Sequence, residues 1–254
     1  MHPQPPTSAA EDARCSSHLI HAARWGRLGV GHADAVLVTS RSFDEYRAFF
    51  GLTDDDLGRR VLDCCAGASG FTAVLAQCGG QVVAVDPAYA GGPDALARAA
   101  RDGTSGGQAI ITDHHDRFTW RWYGSPERRA EMRAAAQRAF SADVVGRSGG
   151  YVAGALPALP FTDGAFDLAL CSHLLFTWSD VLDQAWHEAA LVELLRVAAE
   201  VRVFPLVVQG TGDDVPFLAD LVAALRERGY AADTVPVGYE FQRGADRMLV
   251  VGHG

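Results

Sequence analysis

The densest group of residues able to do chemistry lies in VLDCCAGASGFT, residues 61–72, with an aspartate, Asp86, closing the next apolar run. Gly67 and Gly70 lack a Cβ, so the backbone there can turn tightly and a ligand can approach it closely. The amides that open the following helix add donors and the positive end of a helix dipole. Asp86 offers lone pairs and no donor, which suits it to accept hydrogen bonds from two ribose hydroxyls. Ser172 and His173 end a later apolar run. A histidine whose pKa lies near working pH can serve as a general base, and equally well as a hydrogen-bonded core or rim residue. A third group is aromatic: Phe118, Trp120, Trp122 and Tyr123. Their faces would attract a cation by about 0.5–2 kcal/mol and so close over a cationic ligand. Alternatively they anchor an inserted segment, the reading that a W-x-W alternation favours. Tyr89 covers a ligand or packs, and Tyr239 reads as core.

Bulk properties narrow the field. With 254 residues, 48% of them hydrophobic, the chain can bury one large core. A net charge of −9 argues against a nucleic-acid partner, because phosphates are held mainly by Lys and Arg. A small-molecule substrate fits better. No apolar stretch reaches the roughly 18 residues a membrane helix needs, and MHPQPPTSAAEDAR has no apolar signal core, so a cytoplasmic location is expected. Cys15, Cys64, Cys65, Cys78 and Cys171 show no CxxC spacing and read as reduced thiols. The histidine pairs His18/His21 and His114/His115 repeat no metal-ligand pattern, so no metal is expected.

The elements that must position these residues are legible from periodicity. Residues 1–15 are Pro-rich and polar, a disordered tail. Residues 16–59 read as a helical cap ending in SFDEYRAFFGL, where Ser42 and Glu45 have capping-box spacing and Tyr46, Phe49 and Phe50 form a stripe. Strand, turn and helix then alternate. RVLDCC and VVAVD are buried strands flanking a helix that aligns Phe71, Val74, Leu75 and Cys78. GYVAGAL, FDLALCSHLLF and EVRVFPLVV follow as further strands. Residues 181–199 place Leu182, Ala185, Ala189, Val192 and Leu195 in helical register, behind a cap at Asp180 or Ser179. Residues 216–228 do so with Phe217, Leu218, Leu221, Val222 and Leu225, up to Gly229. DTVPVGYEF and DRMLVVGHG, joined by QRGA, predict a terminal hairpin. The reading is α/β and doubly wound, a mostly parallel sheet with an antiparallel terminal hairpin, for residues 60–254. Roughly sixty residues separate Asp86 from the third strand, where a whole βαβ unit takes about 30. A helical insertion is therefore expected at about 93–149, with a helix start at Ser125 and Pro126.

The residues of 61–72 resemble the first motif of the class I S-adenosylmethionine (SAM) dependent methyltransferases, D-x-G-x-G-x-G or the variant D-x-C-A-G-P-G-G-F. Asp63 matches the acid, and Gly67 and Gly70 match two glycines; Cys65 and Ser69 stand where glycines are common, so the turn should be less open. LPFTDGAFDLALCSHLLF is similar to the family's LPF-x-D-x-x-FD segment. The resemblance covers residues 60–92 and 150–254 and points to a small-molecule-type bacterial member. It implies a Rossmann-like, seven-stranded sheet whose last strand is inserted antiparallel, and SAM as cofactor. Asp63 and the backbone of Cys65, Ala66, Gly67, Ser69 and Gly70 would hold the methionine part, Asp86 the ribose, with Ser172 beside the cofactor. Near Ala155 no side chain can accept from adenine, so backbone would. Ser172, His173 and Tyr123 are the candidate catalytic groups. Direct displacement at an activated methyl needs mainly positioning. Two other enzymatic readings stay open. SAM could react at its aminocarboxypropyl carbon, by transfer or by cyclisation to azetidine-2-carboxylate with release of methylthioadenosine. The chain could also be a nicotinamide oxidoreductase, since Cys65, Gly67 and Gly70 occupy the places of GxGxxG, although the first glycine is missing. A noncatalytic SAM-binding regulator is a further possibility.

Overall fold

A computed structural model describes residues 38–254 apart from 93, 94, 97, 101–110, 113, 114, 148 and 210. The expected tail and residues 16–37 of the expected cap lie outside the described residues, and with them Cys15, His18, His21 and His114.

The described chain begins with α1 (Phe43–Phe49), and its capping box forms as the spacing predicts: Ser42 Oγ accepts from Glu45 N at 3.2 Å and Ser42 N donates to Glu45 Oε2 at 2.7 Å. Tyr46, Phe49 and Phe50 are buried. A second capping box, Thr53 with Asp56, opens α2 (Asp54–Leu57), and Arg202 pairs with Asp56 at 2.8 Å, fastening this entry to the sheet.

The strands β1 (Arg60–Cys64), β2 (Gln81–Val85), β3 (Tyr151–Val152), β4 (Phe166–Ser172), β5 (Ala198–Phe204), β6 (Tyr230–Pro236) and β7 (Arg247–His253) form a seven-stranded sheet in the order β3-β2-β1-β4-β5-β7-β6. The first five are parallel, and β7 runs antiparallel to both β5 and β6. Alternate strand residues enter opposite cores. Val61, Leu168 and Leu170 pack with Tyr46, Phe71 and Leu75 of α1 and α3 (Phe71–Gln77), whereas Leu62, Ala169 and Val201 pack with Ala190, Leu194 and Leu221 of α5 (Gln184–Val197) and α6 (Leu218–Glu227). This is the period-2 pattern of a sheet covered on both faces. Strand order reverses between β1 and β4, so the ligand site of such a sheet lies beyond their carboxyl ends. The long helix α4 (Pro126–Gly146) starts at Ser125 and Pro126, as expected for the insertion.

Several boundaries differ from the periodicity reading. GYVAGAL yields only the two residues of β3, because the chain turns at Gly154, where a Cβ would lie 2.8 Å from Pro160. Cys78 is exposed at the end of α3 rather than on its buried face. Asp183 caps α5, not Asp180 or Ser179, and its buried face carries His187, Ala190, Leu191, Leu194 and Leu195 while Ala185 and Ala189 are exposed. The reason is His187: buried, it accepts from Phe176 N at 2.9 Å and fills a core position that a polar residue hides from hydrophobic periodicity. The terminal hairpin forms, but residues 237–246 leave the sheet and carry Tyr239 and Phe241 into the α1 core. Among the described residues, no helix is long and apolar enough to cross a membrane, and no cluster of His, Cys, Asp and Glu could hold a metal.

Candidate active site

After β1 the chain makes two left-handed residues, Cys65 at φ 59° and Gly67 at φ 55°. Glycine adopts this conformation freely, and a side chain there costs about 1–2 kcal/mol, which explains why related motifs place glycine at the cysteine's position. The amides of Cys65 and Ala66 donate to Val85 O at 2.8 and 3.3 Å, drawing the turn against the end of β2. There Asp86 accepts from Gly67 N at 3.0 Å with one oxygen and from Ala88 N at 2.9 Å with the other. Each oxygen keeps a lone pair, the arrangement a vicinal diol needs. Burial raises the Asp86 carboxyl above its ordinary range, against the lowering effect of those two amides. Tyr89 donates to Gly67 O at 2.8 Å and so braces the same turn.

Gly70 and Ser69 serve packing. Gly70 has φ −80°, and a Cβ on it would sit 2.8 Å from Ala136 Cα and from Ala136 O, so its bareness admits α4 rather than a ligand. Its amide donates to Arg41 O at 2.8 Å, and Ser69 Oγ accepts from Phe71 N at 3.1 Å. Asp63 is likewise turned inward. It is 0% exposed, and its oxygens accept from Tyr46 Oη at 2.8 Å and Thr72 Oγ1 at 3.0 Å. Burial carries its carboxyl up to about 7 even though both hydrogen bonds pull the other way. In this arrangement Asp63 is enclosed beneath Tyr46 and Thr72, out of a ligand's reach, and holds the turn from below.

At the end of β4, His173 also takes a left-handed conformation, φ 58°, with its amide on Phe204 O at 2.8 Å. Its Nδ1 shares a 2.7 Å hydrogen bond with Ser172 Oγ, leaving Nε2 without a partner among the described residues. Burial, reinforced by the positive charges of Arg41 and Arg129, holds the imidazole well below its ordinary pKa, so it is neutral at pH 7. Phe49 and Phe204 flank it at ring distances of 5.2 and 5.8 Å.

Tyr123, a candidate catalytic group, is 1% exposed in a polar network. Its hydroxyl donates to Glu45 and lies 2.9 Å from that of Tyr239. Arg133 pairs with Glu45 at 2.7 Å and donates to Ser40 O at 2.5 Å. Burial, then the Glu45 charge, raises the Tyr123 phenol, so it stays protonated and positions its neighbours. Around it Trp122 meets Tyr239 at 5.0 Å, Trp120 meets Phe241 at 5.1 Å and Phe118 meets Phe241 at 4.8 Å. These aromatics anchor the insertion to the loop after β6. The Arg129 guanidinium stacks on Phe241 at 5.0 Å and near Tyr123 at 5.9 Å. Sequence reasoning missed Arg41, Tyr46, Arg129, Arg133 and the second role of Glu45. One signal was available: Arg129, Arg133, Ala136 and Phe140 share a face of α4, and three of them are buried.

The sheet order and the antiparallel β7 define the Rossmann-like fold of the class I methyltransferases. Residues 107–199 match a family model described as a methyltransferase domain. An uncharacterized protein of Methanocaldococcus jannaschii is 25% identical over 219 residues, covering 86% of this chain and 96% of the relative. Among solved structures, magnesium protoporphyrin IX methyltransferase from Synechocystis aligns at 16% identity and a TM-score of 0.47, over 84% of this chain and 81% of the other. The 1,6-didemethyltoxoflavin-N1-methyltransferase of Burkholderia thailandensis aligns at 15% identity and a TM-score of 0.42, over 100% and 94%.

Proposed function

We propose that this chain methylates a small molecule, by direct displacement at the SAM methyl group, at a site beyond the carboxyl ends of β1, β2 and β4. The observation that carries this reading is Asp86, whose two oxygens are aimed by Gly67 N and Ala88 N and keep a lone pair each for the ribose hydroxyls. The residues present fit the cofactor. Left-handed Cys65 and Gly67 open the turn for its methionine part, and Arg41, whose Nε is buried without a partner, supplies a cation for its carboxylate. When bound, SAM supplies a methyl group activated by the sulfonium.

The chain's own residues orient the acceptor, exclude water and handle its proton. Neutral His173, tethered through Nδ1 to Ser172, has Nε2 free to accept a proton from the acceptor's nucleophile. Phe49, Phe204 and Tyr239 form a dry wall beside it, which favours a charge-dispersing displacement. The enzyme works in the cytoplasm. The test is product analysis after incubation with SAM and candidate acceptors. S-adenosylhomocysteine with a methylated acceptor is the expected result; methylthioadenosine from SAM alone would replace it with the cyclisation reading.

A further inference from the structure

Charge around the site leans positive, with Asp86 set against two arginines. Glu45 offsets Arg133 through their ion pair, and Asp63 is sealed under Tyr46 and Thr72. Arg41 and Arg129 make no hydrogen bond or ion pair through their side chains among the described residues, and the Nε of each is buried and unsatisfied. A buried unsatisfied donor costs about 1–3 kcal/mol, so two arginines in this state beside one site call for a partner. Arg129 lies over Tyr123, whose hydroxyl meets that of Tyr239, and Phe49 joins Tyr239 to the His173 ring at 4.6 and 5.2 Å; the charges of both arginines act on that ring. Bound SAM worsens the imbalance, since its sulfonium and ammonium outnumber its one carboxylate. Arg41 is tied by its carbonyl to Gly70 N, at the end of the turn that carries Gly67. Arg129 is held over Phe241 and Tyr123.

We propose that the acceptor is an organic carboxylate whose anion is held by Arg129, with its body against Phe241, Tyr239 and Trp122. This rests on the functional reading above and adds the substrate class to it. A planar guanidinium takes a carboxylate in two parallel hydrogen bonds, and stacking on Phe241 fixes the plane of the fork. With Arg41 given to the cofactor carboxylate, the single guanidinium of Arg129 matches a monoanion. A phosphate dianion would instead turn unpaired oxygens toward the rings of Phe241 and Trp122. Phe49, in contact with both Tyr239 and the His173 ring, leads from this wall to the proton acceptor, toward which the far end of such a molecule would extend.

The test is calorimetric titration of the full chain, saturated with S-adenosylhomocysteine, by benzoate, benzamide and inorganic phosphate, for the wild type and Arg129→Met. The expected result is benzoate binding at least about tenfold tighter than benzamide in the wild type, with that preference lost in the variant while its S-adenosylhomocysteine affinity stays within about twofold. Equal binding of benzoate and benzamide, benzoate binding unchanged in the variant, or tighter binding of phosphate than benzoate would each overturn the proposal. Should the variant fail to fold, the wild type decides: benzoate must raise the proton affinity of the His173 ring several-fold by NMR titration, as neutralising a nearby cation requires, and an unmoved ring would overturn it. If S-adenosylhomocysteine does not bind but benzoate does so through Arg129, the anion site stands and the cofactor reading falls.

Discussion

Replacing Asp63 by asparagine separates a positioning carboxylate from a ligand-binding one. Asp63 is wholly enclosed, and its proton is held up to about 7 against an ordinary value of 3.8. The folded protein therefore binds this proton more tightly than the unfolded chain does. Stability from this group is full below about pH 4 and is lost as pH rises through about 7. Roughly three pH units at 1.36 kcal/mol each make the loss about 4 kcal/mol by pH 8. In Asp63→Asn the new side chain would keep an oxygen for the Tyr46 hydroxyl and present an amide to Thr72, with no ionisation to suppress. Urea denaturation of both proteins at pH 4 and pH 8 should show the variant gaining about 3–4 kcal/mol on the wild type across that interval. Its S-adenosylhomocysteine affinity should change by less than about threefold. A variant that is less stable than wild type at pH 8, or a difference independent of pH, refutes the reasoning, because the carboxylate would then be held ionised.

Other consequences follow from the network and the packing. Glu45→Gln strands the Arg133 guanidinium in the interior and should cost about 3 kcal/mol in urea denaturation, far more than the loss of a surface cap. Gly70→Ala pushes a methyl group to 2.8 Å from Ala136 Cα and should cost about 1–3 kcal/mol in urea denaturation; a neutral Gly70→Ala would mean that α4 does not pack there. Because His173 is held well below its ordinary 6.5, the kcat profile should show no acid limb between pH 6.5 and 8, and His173→Ala should lower kcat by about 10²-fold. An acid limb centred near pH 7 that disappears in His173→Ala would contradict the neutral-base assignment.

Much of the frame was legible because it rests on periodicity and capping. The Ser42/Glu45 box, the Ser125–Pro126 helix start and the apolar runs of β1, β2, β4 and β5 formed where spacing placed them, and the terminal hairpin formed antiparallel with its first strand ending earlier, at Pro236. The glycine turn was legible as a turn, but the reasons for its glycines were not. Gly67 is needed for its left-handed φ, whereas Gly70 is needed by a helix about sixty residues further along the chain, a contact no local pattern reports. Polar residues that face inward were the hardest. His187 displaced the expected face of α5, Tyr123 became part of a buried network, and Glu45 took a second partner beyond its capping role. One-dimensional patterns count such residues as surface, and only the three-dimensional pairing shows what satisfies them.

The most direct test of the central claim, that Asp86 and the Cys65–Gly67 turn hold SAM, is calorimetric titration of the wild type and Asp86→Ala with S-adenosylhomocysteine, with NADH as the competing ligand. Wild type should bind S-adenosylhomocysteine and not NADH, and Asp86→Ala should bind it at least about tenfold more weakly, as the loss of charge-assisted hydrogen bonds to a ribose requires. Binding of NADH without S-adenosylhomocysteine, or an Asp86→Ala variant indistinguishable from wild type, would contradict it.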